Sequence, residues 1–229
     1  MTHILIQRLN PKVRRKIDLD FLVTFGVGPD AFYNPSFTSF PFKKIRNFGY
    51  QVHHKKTQKF LIEYVDHILK YRLENNREII SSLFGMLCHN VLDKTTHPLI
   101  YYQTGGNAIK HREMELLIDL YMLEKREQIN PRRVRIAPLL FPKMKFSVQL
   151  RNLLDRVYED TYGKRNMGKT YLKCLNQMKR NYQYFRYDPM GYKLKLYHTI
   201  SKFPWVSKKM NYYSYANNLR KKVSYINFK

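Results

Sequence analysis

The chain reads as an all-α protein, a multi-helix bundle around a multinuclear metal site, and three observations predict this. Apolar residues recur at helical spacing through residues 60–69, 79–92, 114–122, 146–158 and 167–185. Histidine and carboxylate side chains recur four residues apart in or at the edge of two of these regions, His89 with Asp93 and His111 with Glu115. On a helix that spacing stacks both side chains on one face, about 6 Å apart at Cβ. The donors are imidazole nitrogen and carboxylate oxygen without thiolate, a set that suits zinc in an open hydrolytic site better than in a closed cysteine site. One such pair alone would read as a surface ion pair or a cap; two, each on an otherwise apolar helix, read as metal ligands.

At 229 residues the chain can bury one sizeable core, so residues 1–229 are expected to form a single domain, with 164–229 as its strongly basic, tyrosine-rich end. Hydrophobic residues make up 44% and aromatics 15%, which excludes global disorder. Lys and Arg outnumber Asp and Glu by 42 to 17, and the net +25 draws the protein toward polyanions, whether nucleic acid or an anionic membrane surface. Cys88 and Cys174 form no close-spaced pair, so no disulfide framework is expected and a reducing compartment is the default. MTHILIQRLNPKVRRK lacks the apolar stretch of a secretory signal, and no run approaches the ~18 apolar residues of a membrane span. The expected location is the cytoplasm, in a protein that could touch a membrane face.

Taken in order, His3-Ile-Leu-Ile6 is too short for periodicity to separate strand from helix, and His3 alone would be a solvated or capping residue. An apolar stretch, Phe21 to Val27, runs into Gly26, Gly28, Pro29 and Pro35, which mark a turn or loop. Within it Asp30 reads first as an N-cap or Asx turn. His53 and His54 precede Thr57, the expected cap of a helix carrying Phe60, Leu61, Tyr64, Val65, Ile68 and Leu69. Adjacent residues point apart, so one of the two histidines faces inward; His67, on the same helix, reads as a surface residue. The helix holding His89 and Asp93 is apolar over most of its circumference through Ile79, Ile80, Leu83, Met86, Leu87, Val91 and Leu92, which predicts burial. Buried His and Asp need partners, because an unpaired charge in a low-dielectric interior costs several kcal/mol.

That helix is expected to end near Thr96, since Pro98 disfavours helical geometry at His97, which then stands at the helix end. Gly105 and Gly106 make a loop before a helix from Ile109 to about Ile129, with His111 and Glu115 on or beside its apolar face. Asp119 continues the four-residue stripe, either orienting a ligand or lying on the surface. Beyond Asn130-Pro131 and the basic RRVRI, helices are expected over Phe146–Tyr158 and Met167–Phe185, then a turn at Asp188–Gly191. From Lys164 to Lys229 sixteen Lys or Arg face a single acid, Asp188, interleaved with tyrosines. Such a segment fits single-stranded nucleic acid, anionic headgroups, or a solvated basic face over buried aromatics, and the residues leave the three open.

His3 in THILI, Asp30 in GPDAFY, His53 in HHKKT, His89 and Asp93 in HNVLD, His97 in the HP dipeptide, and His111 and Glu115 in HREME follow one another in a familiar order. In them the chain resembles zinc-dependent phospholipase C, an all-α, three-metal superfamily that includes the single-strand-specific zinc nucleases. The likeness runs from His3 to about Asp119 and is closest to the small, leaderless bacterial branch. It implies a bundle of about seven to nine helices. It implies that Asp30, His53, His89 and Asp93 hold one zinc, that His97, His111 and Glu115 hold a second, and that His3 with a bridging Asp93 contributes to a third, two or three ions in all. It also implies a phosphoesterase, first of all phospholipase C-like hydrolysis of a phosphodiester by a zinc-activated water. Asp93 and Asp30 are its expected catalytic carboxylates, the latter a candidate general base. Phospholipid is the first expected substrate and single-stranded nucleic acid the rival. The alternative from another class is a non-catalytic, zinc-stabilised protein that binds nucleic acid or an anionic membrane.

Overall fold

Every regular element among the described residues is helical. The computed structural model describes residues 9–35, 42–130 and 135–184, so His3 with its segment, residues 131–134 and the basic segment beyond Tyr184 lie outside the described residues. Nine α-helices and one 3₁₀ helix follow one another there: α1 (Pro11–Arg14), α2 (Leu19–Phe25), the 3₁₀ helix (Gly28–Tyr33), α3 (Phe42–His54), α4 (Thr57–Lys70), α5 (Arg77–Thr104), α6 (Ala108–Lys125), α7 (Ile136–Leu140), α8 (Val148–Tyr162) and α9 (Met167–Tyr184). The all-α class predicted from spacing is the class found. None of these helices is long and apolar enough to cross a membrane. The chain divides into two compact units, Met1–Lys94 with Ala137–Asn181 and Thr95–Ile136 with Tyr182–Lys229, the division falling within α5.

In the first unit, local chemistry starts the helices and aromatic packing joins them. The Asp18 carboxylate accepts from the amides of Asp20 and Phe21 and so caps α2. Ser147 Oγ does the same for α8 through Leu150 N at 3.1 Å, and Gly163, left-handed at φ 66°, closes that helix. Phe32 is fully buried, with ring centroids 5.2 Å from Phe48, 5.6 Å from Tyr158 and 5.4 Å from Tyr171. Tilted and edge-on pairs of this kind add about 0.5–1.5 kcal/mol each beyond area burial. The tyrosines keep polar tips satisfied: Tyr64 Oη lies 2.7 Å from Ser82 Oγ, and Tyr171 Oη donates to the Gly28 carbonyl at 3.0 Å. Burial holds the Tyr171 phenol well above its ordinary pKa, so it stays a donor. Of the basic segment, residues 164–184 are thus described: α9 buries Tyr171, Cys174, Leu175 and Met178 and exposes Lys169, Lys173 and Arg180. In the second unit Leu116 and Leu117 pack on buried Leu120, and Thr104 Oγ1 donates to the Ile100 carbonyl at 2.8 Å.

Several local expectations are corrected. The helix with His89 and Asp93 does not stop near Thr96; α5 runs through Pro98 to Thr104. A proline removes one i→i−4 bond, and buried Ile100 and Thr104 anchor the helix beyond it. Thr57 does not cap α4: its hydroxyl turns back to the Val52 and His53 carbonyls, and Lys56, left-handed at φ 58°, makes the turn. The α5 segment is not buried all round, because Leu87, Val91 and Leu92 are exposed while Ile79 and Met86 are not; a helix packed on one side buries one stripe however apolar the rest. His67 is not on the surface but buried, since α8 supplies a polar partner for it.

Candidate metal centre

The first cluster is assembled by the break between α2 and the 3₁₀ helix. Gly26 ends α2, Gly28 turns at φ 51°, and Pro29, the second residue of the 3₁₀ helix, fixes the backbone that presents Asp30. Asp30 Oδ1 then lies 2.8 Å from His53 Nε2 on α3. The other nitrogen of His53, Nδ1, lies 3.3 Å from Asp93 Oδ2 on α5, and that same oxygen lies 3.3 Å from His89 Nε2. The rings of His53 and His89 meet edge to face at 5.2 Å. The imidazoles are nearly covered, whereas the Asp30 side chain is 45% exposed, so the cluster has a dry side and a wet side.

His89 is held by the backbone around it. Burial works against its protonation, but the Asp93 carboxylate, the Asp30 charge and the Gly26 carbonyl outweigh burial and raise its pKa above the ordinary histidine value. Gly28 packs flat against the ring: a Cβ there would overlap His89 Cγ and Cδ2 and lie 2.8 Å from its Cβ. Tyr33 stacks on His53 at 5.7 Å, its phenol pushed up to about 12 by burial and then by the Asp30, Tyr50 and Asp93 charges.

The second unit carries the second cluster. Asn107 Oδ1 accepts from Lys110 N at 3.1 Å and starts α6, which brings His111 and Glu115 onto one face. Glu115 Oε1 lies 3.0 Å from His111 Nε2 and 3.3 Å from His97 Nε2, and the two rings stand 5.0 Å apart. His97 occupies the interior of α5, which corrects its expected position at a helix end. In each unit, therefore, an i, i+4 pair meets donors from other turns. One atom each from Asp30, His53 and His89, and likewise from His97, His111 and Glu115, lies within 4.8 Å of the others in its group.

Other candidates separate from these groups. Of the adjacent histidines, His53 faces inward and His54 is exposed, its ring 4.4 Å from Tyr50. Asp30 is no N-cap, and Asp119 is an exposed helix residue. Gly28, Tyr33 and Tyr171 belong to the site's framework without having been singled out for it. Gly28 alone carried a signal, a glycine two residues before a candidate ligand; the tyrosines are chosen by packing that no local pattern shows.

A helical protein with two His–carboxylate groups of this kind falls in the class of all-α metal-site proteins with an oxygen- and nitrogen-rich, thiolate-free donor set. A family model described as zinc-dependent phospholipase C matches residues 1–166, and the chain belongs to that family. No curated protein and no solved structure matches it. The donors fit zinc on an observation of their own. His89 Nε2 is buried and has no hydrogen-bond partner; the Asp93 carboxylate, 3.3 Å away, attracts it by charge. Such an orphaned nitrogen costs about 1–3 kcal/mol unless something else takes its lone pair.

Proposed function

We propose that the chain is a zinc-dependent phosphoesterase hydrolysing a phosphodiester in the manner of a phospholipase C, with phospholipid as substrate. The observation that carries this reading is His89 Nε2, a buried lone pair without a hydrogen bond beside the Asp93 carboxylate. Asp30, His53, His89 and Asp93 hold one zinc and His97, His111 and Glu115 hold another; a third would take His3, outside the described residues, with Asp93. Bound zinc supplies Lewis acidity toward water and toward the phosphoryl oxygens. Asp30, on the wet side of the cluster, is the carboxylate within reach of an incoming water and accepts its proton. Asp93, within 3.3 Å of both imidazoles, orients both rings. The net charge of +25 favours single-stranded nucleic acid as the rival substrate.

The test is elemental analysis of protein purified without added zinc or chelator, paired with hydrolysis of bis-p-nitrophenyl phosphate before and after metal removal. Two or three zinc equivalents with chelator-sensitive turnover are expected. Phosphatidylcholine vesicles against a single-stranded oligonucleotide then decide the substrate. Bound zinc without turnover on any of them would favour the non-catalytic, binding reading, and no metal after zinc reconstitution would overturn the assignment.

A pH dependence follows with a definite sign. In the metal-free protein His89 has a raised pKa, so its proton stabilises the fold below the unfolded value of about 6.5, and this is lost as pH rises through the folded value. Zinc requires the neutral ring, so its binding has the opposite slope. Added zinc is expected to raise the melting temperature more at about pH 8 than at about pH 5. Equal shifts at both would remove His89 from the ligand set.

A further inference from the structure

We infer that Glu63, His67 and Asp160 form a further divalent-cation site, suited to zinc, from residues that neither cluster uses. One ligand atom from each lies within 4.8 Å of the others. Glu63 and His67 stand four apart on α4, the same two-point grip as His89 with Asp93 and His111 with Glu115. As in those groups, a side chain from elsewhere completes the set: Asp160 on α8, with Oδ2 2.7 Å from His67 Nε2. The first unit contains both helices.

The state of His67 distinguishes this group from a surface ion pair. Its side chain is 8% exposed, and its ring lies parallel to Tyr71 at 5.7 Å. Nε2 points at the Asp160 carboxylate, while Nδ1 is buried without a hydrogen-bond partner. No bond on the Nδ1 side therefore fixes which nitrogen carries the proton. With the proton on Nδ1, Nε2 turns its lone pair on the Asp160 carboxylate 2.7 Å away, with a Glu63 oxygen within 4.8 Å, an arrangement unfavourable without a cation among them. One divalent ion supplies that cation and neutralises both charges. Imidazole with two carboxylates leaves a fourth tetrahedral position to water.

A cation is already drawn to this place. Lys59 Nζ lies 3.8 Å from Glu63 Oε1 and donates to the Asp160 backbone carbonyl at 3.4 Å. Its side chain is 51% exposed, so the ammonium can swing into water when a metal ion takes the carboxylates. An ion held by α4 and α8 would clasp the helices that supply Phe60, Tyr64, Tyr158 and Tyr162 to the aromatic core.

The full chain, freed of metal, reloaded with zinc and dialysed, is compared with Asp160→Asn and Glu63→Gln by elemental analysis. Each variant is expected to hold one zinc equivalent fewer than the parent, with bis-p-nitrophenyl phosphate hydrolysis within about twofold of it, since neither residue belongs to the two clusters. Asp93→Asn provides the complementary arm: it is expected to lose metal from its own cluster while cobalt(II) still loads the Glu63, His67 and Asp160 group alongside the His97, His111 and Glu115 cluster, and adding Asp160→Asn is expected to lower the bound cobalt by one further equivalent. Two folded variants that each keep the parental zinc count would overturn the inference. So would a cobalt content in the Asp93→Asn background that Asp160→Asn leaves unchanged. Both conservative changes lie on partly exposed side chains, so a folding defect in one leaves the other to decide.

Discussion

Asp93→Asn is expected to lower phosphodiester hydrolysis by at least about 10³-fold and to strip zinc from the first cluster while leaving the chain folded. One oxygen of Asp93 stands 3.3 Å from both His53 Nδ1 and His89 Nε2, so a single carboxylate supplies the charge the two rings share. Asparagine keeps the shape and removes the charge, leaving Asp30 as the one anion of the ligand set, and that side chain is 45% exposed. A metal ion contributes several kcal/mol of charge stabilisation in the transition state, and about 1.4 kcal/mol is a factor of ten in rate. Losing about 4 kcal/mol therefore gives the stated thousandfold. The side chain is 22% exposed, so the neutral amide can be solvated and the metal-free fold should change by no more than about 1 kcal/mol. Zinc content, bis-p-nitrophenyl phosphate turnover and the melting temperature of metal-free protein, measured together, check this. A variant with full zinc and full turnover would end the assignment of Asp93 as a ligand and of the first cluster as the reactive one.

The parts of this molecule legible in its sequence are those that one helix decides alone. His89 faces Asp93 and His111 faces Glu115 because four residues on an α-helix bring side chains together whatever surrounds them. The choice between His53 and His54 is different: both sit at the end of α3, and the inward one is set by Asp30 arriving from the 3₁₀ helix. His67 was hidden for the same reason, since its partner Asp160 lies 93 residues away on α8. Pro98 misleads in the opposite direction. Its local preference to end a helix is real, but tertiary burial at Ile100 and Thr104 outweighs the loss of one hydrogen bond. The tyrosines of the basic segment, left open between stacking platforms and buried aromatics, include Tyr171, whose hydroxyl holds the Gly28 carbonyl inside the core. Composition could not separate those roles, because burial is a property of the assembled helices.

Gly28→Ala should be the most damaging single-methyl change in the first unit, costing about 2–5 kcal/mol of stability and weakening zinc binding by about 10- to 100-fold. Two physical effects combine. At φ 51° an L-residue pays about 1–2 kcal/mol of backbone strain. The new methyl would also overlap the His89 ring, and overpacking of this kind costs about 1–3 kcal/mol. The loop cannot easily retreat, because the Gly28 carbonyl accepts from Tyr171 Oη at 3.0 Å and the next residue is Pro29. His89 must therefore give way, turning Nε2 from Asp93; a misdirected ligand is what lowers metal affinity. Gly105→Ala separates the two effects, since Gly105 has nearly the same φ, 57°, and a methyl added there would meet nothing within 4 Å. It should show the backbone cost alone and unchanged zinc binding at the first cluster. Chemical denaturation of both variants and zinc competition against a chromophoric chelator check the pair. If Gly28→Ala behaves like Gly105→Ala, then the His89 ring has room to move, and the buried nitrogen on which the zinc assignment rests is not held in place.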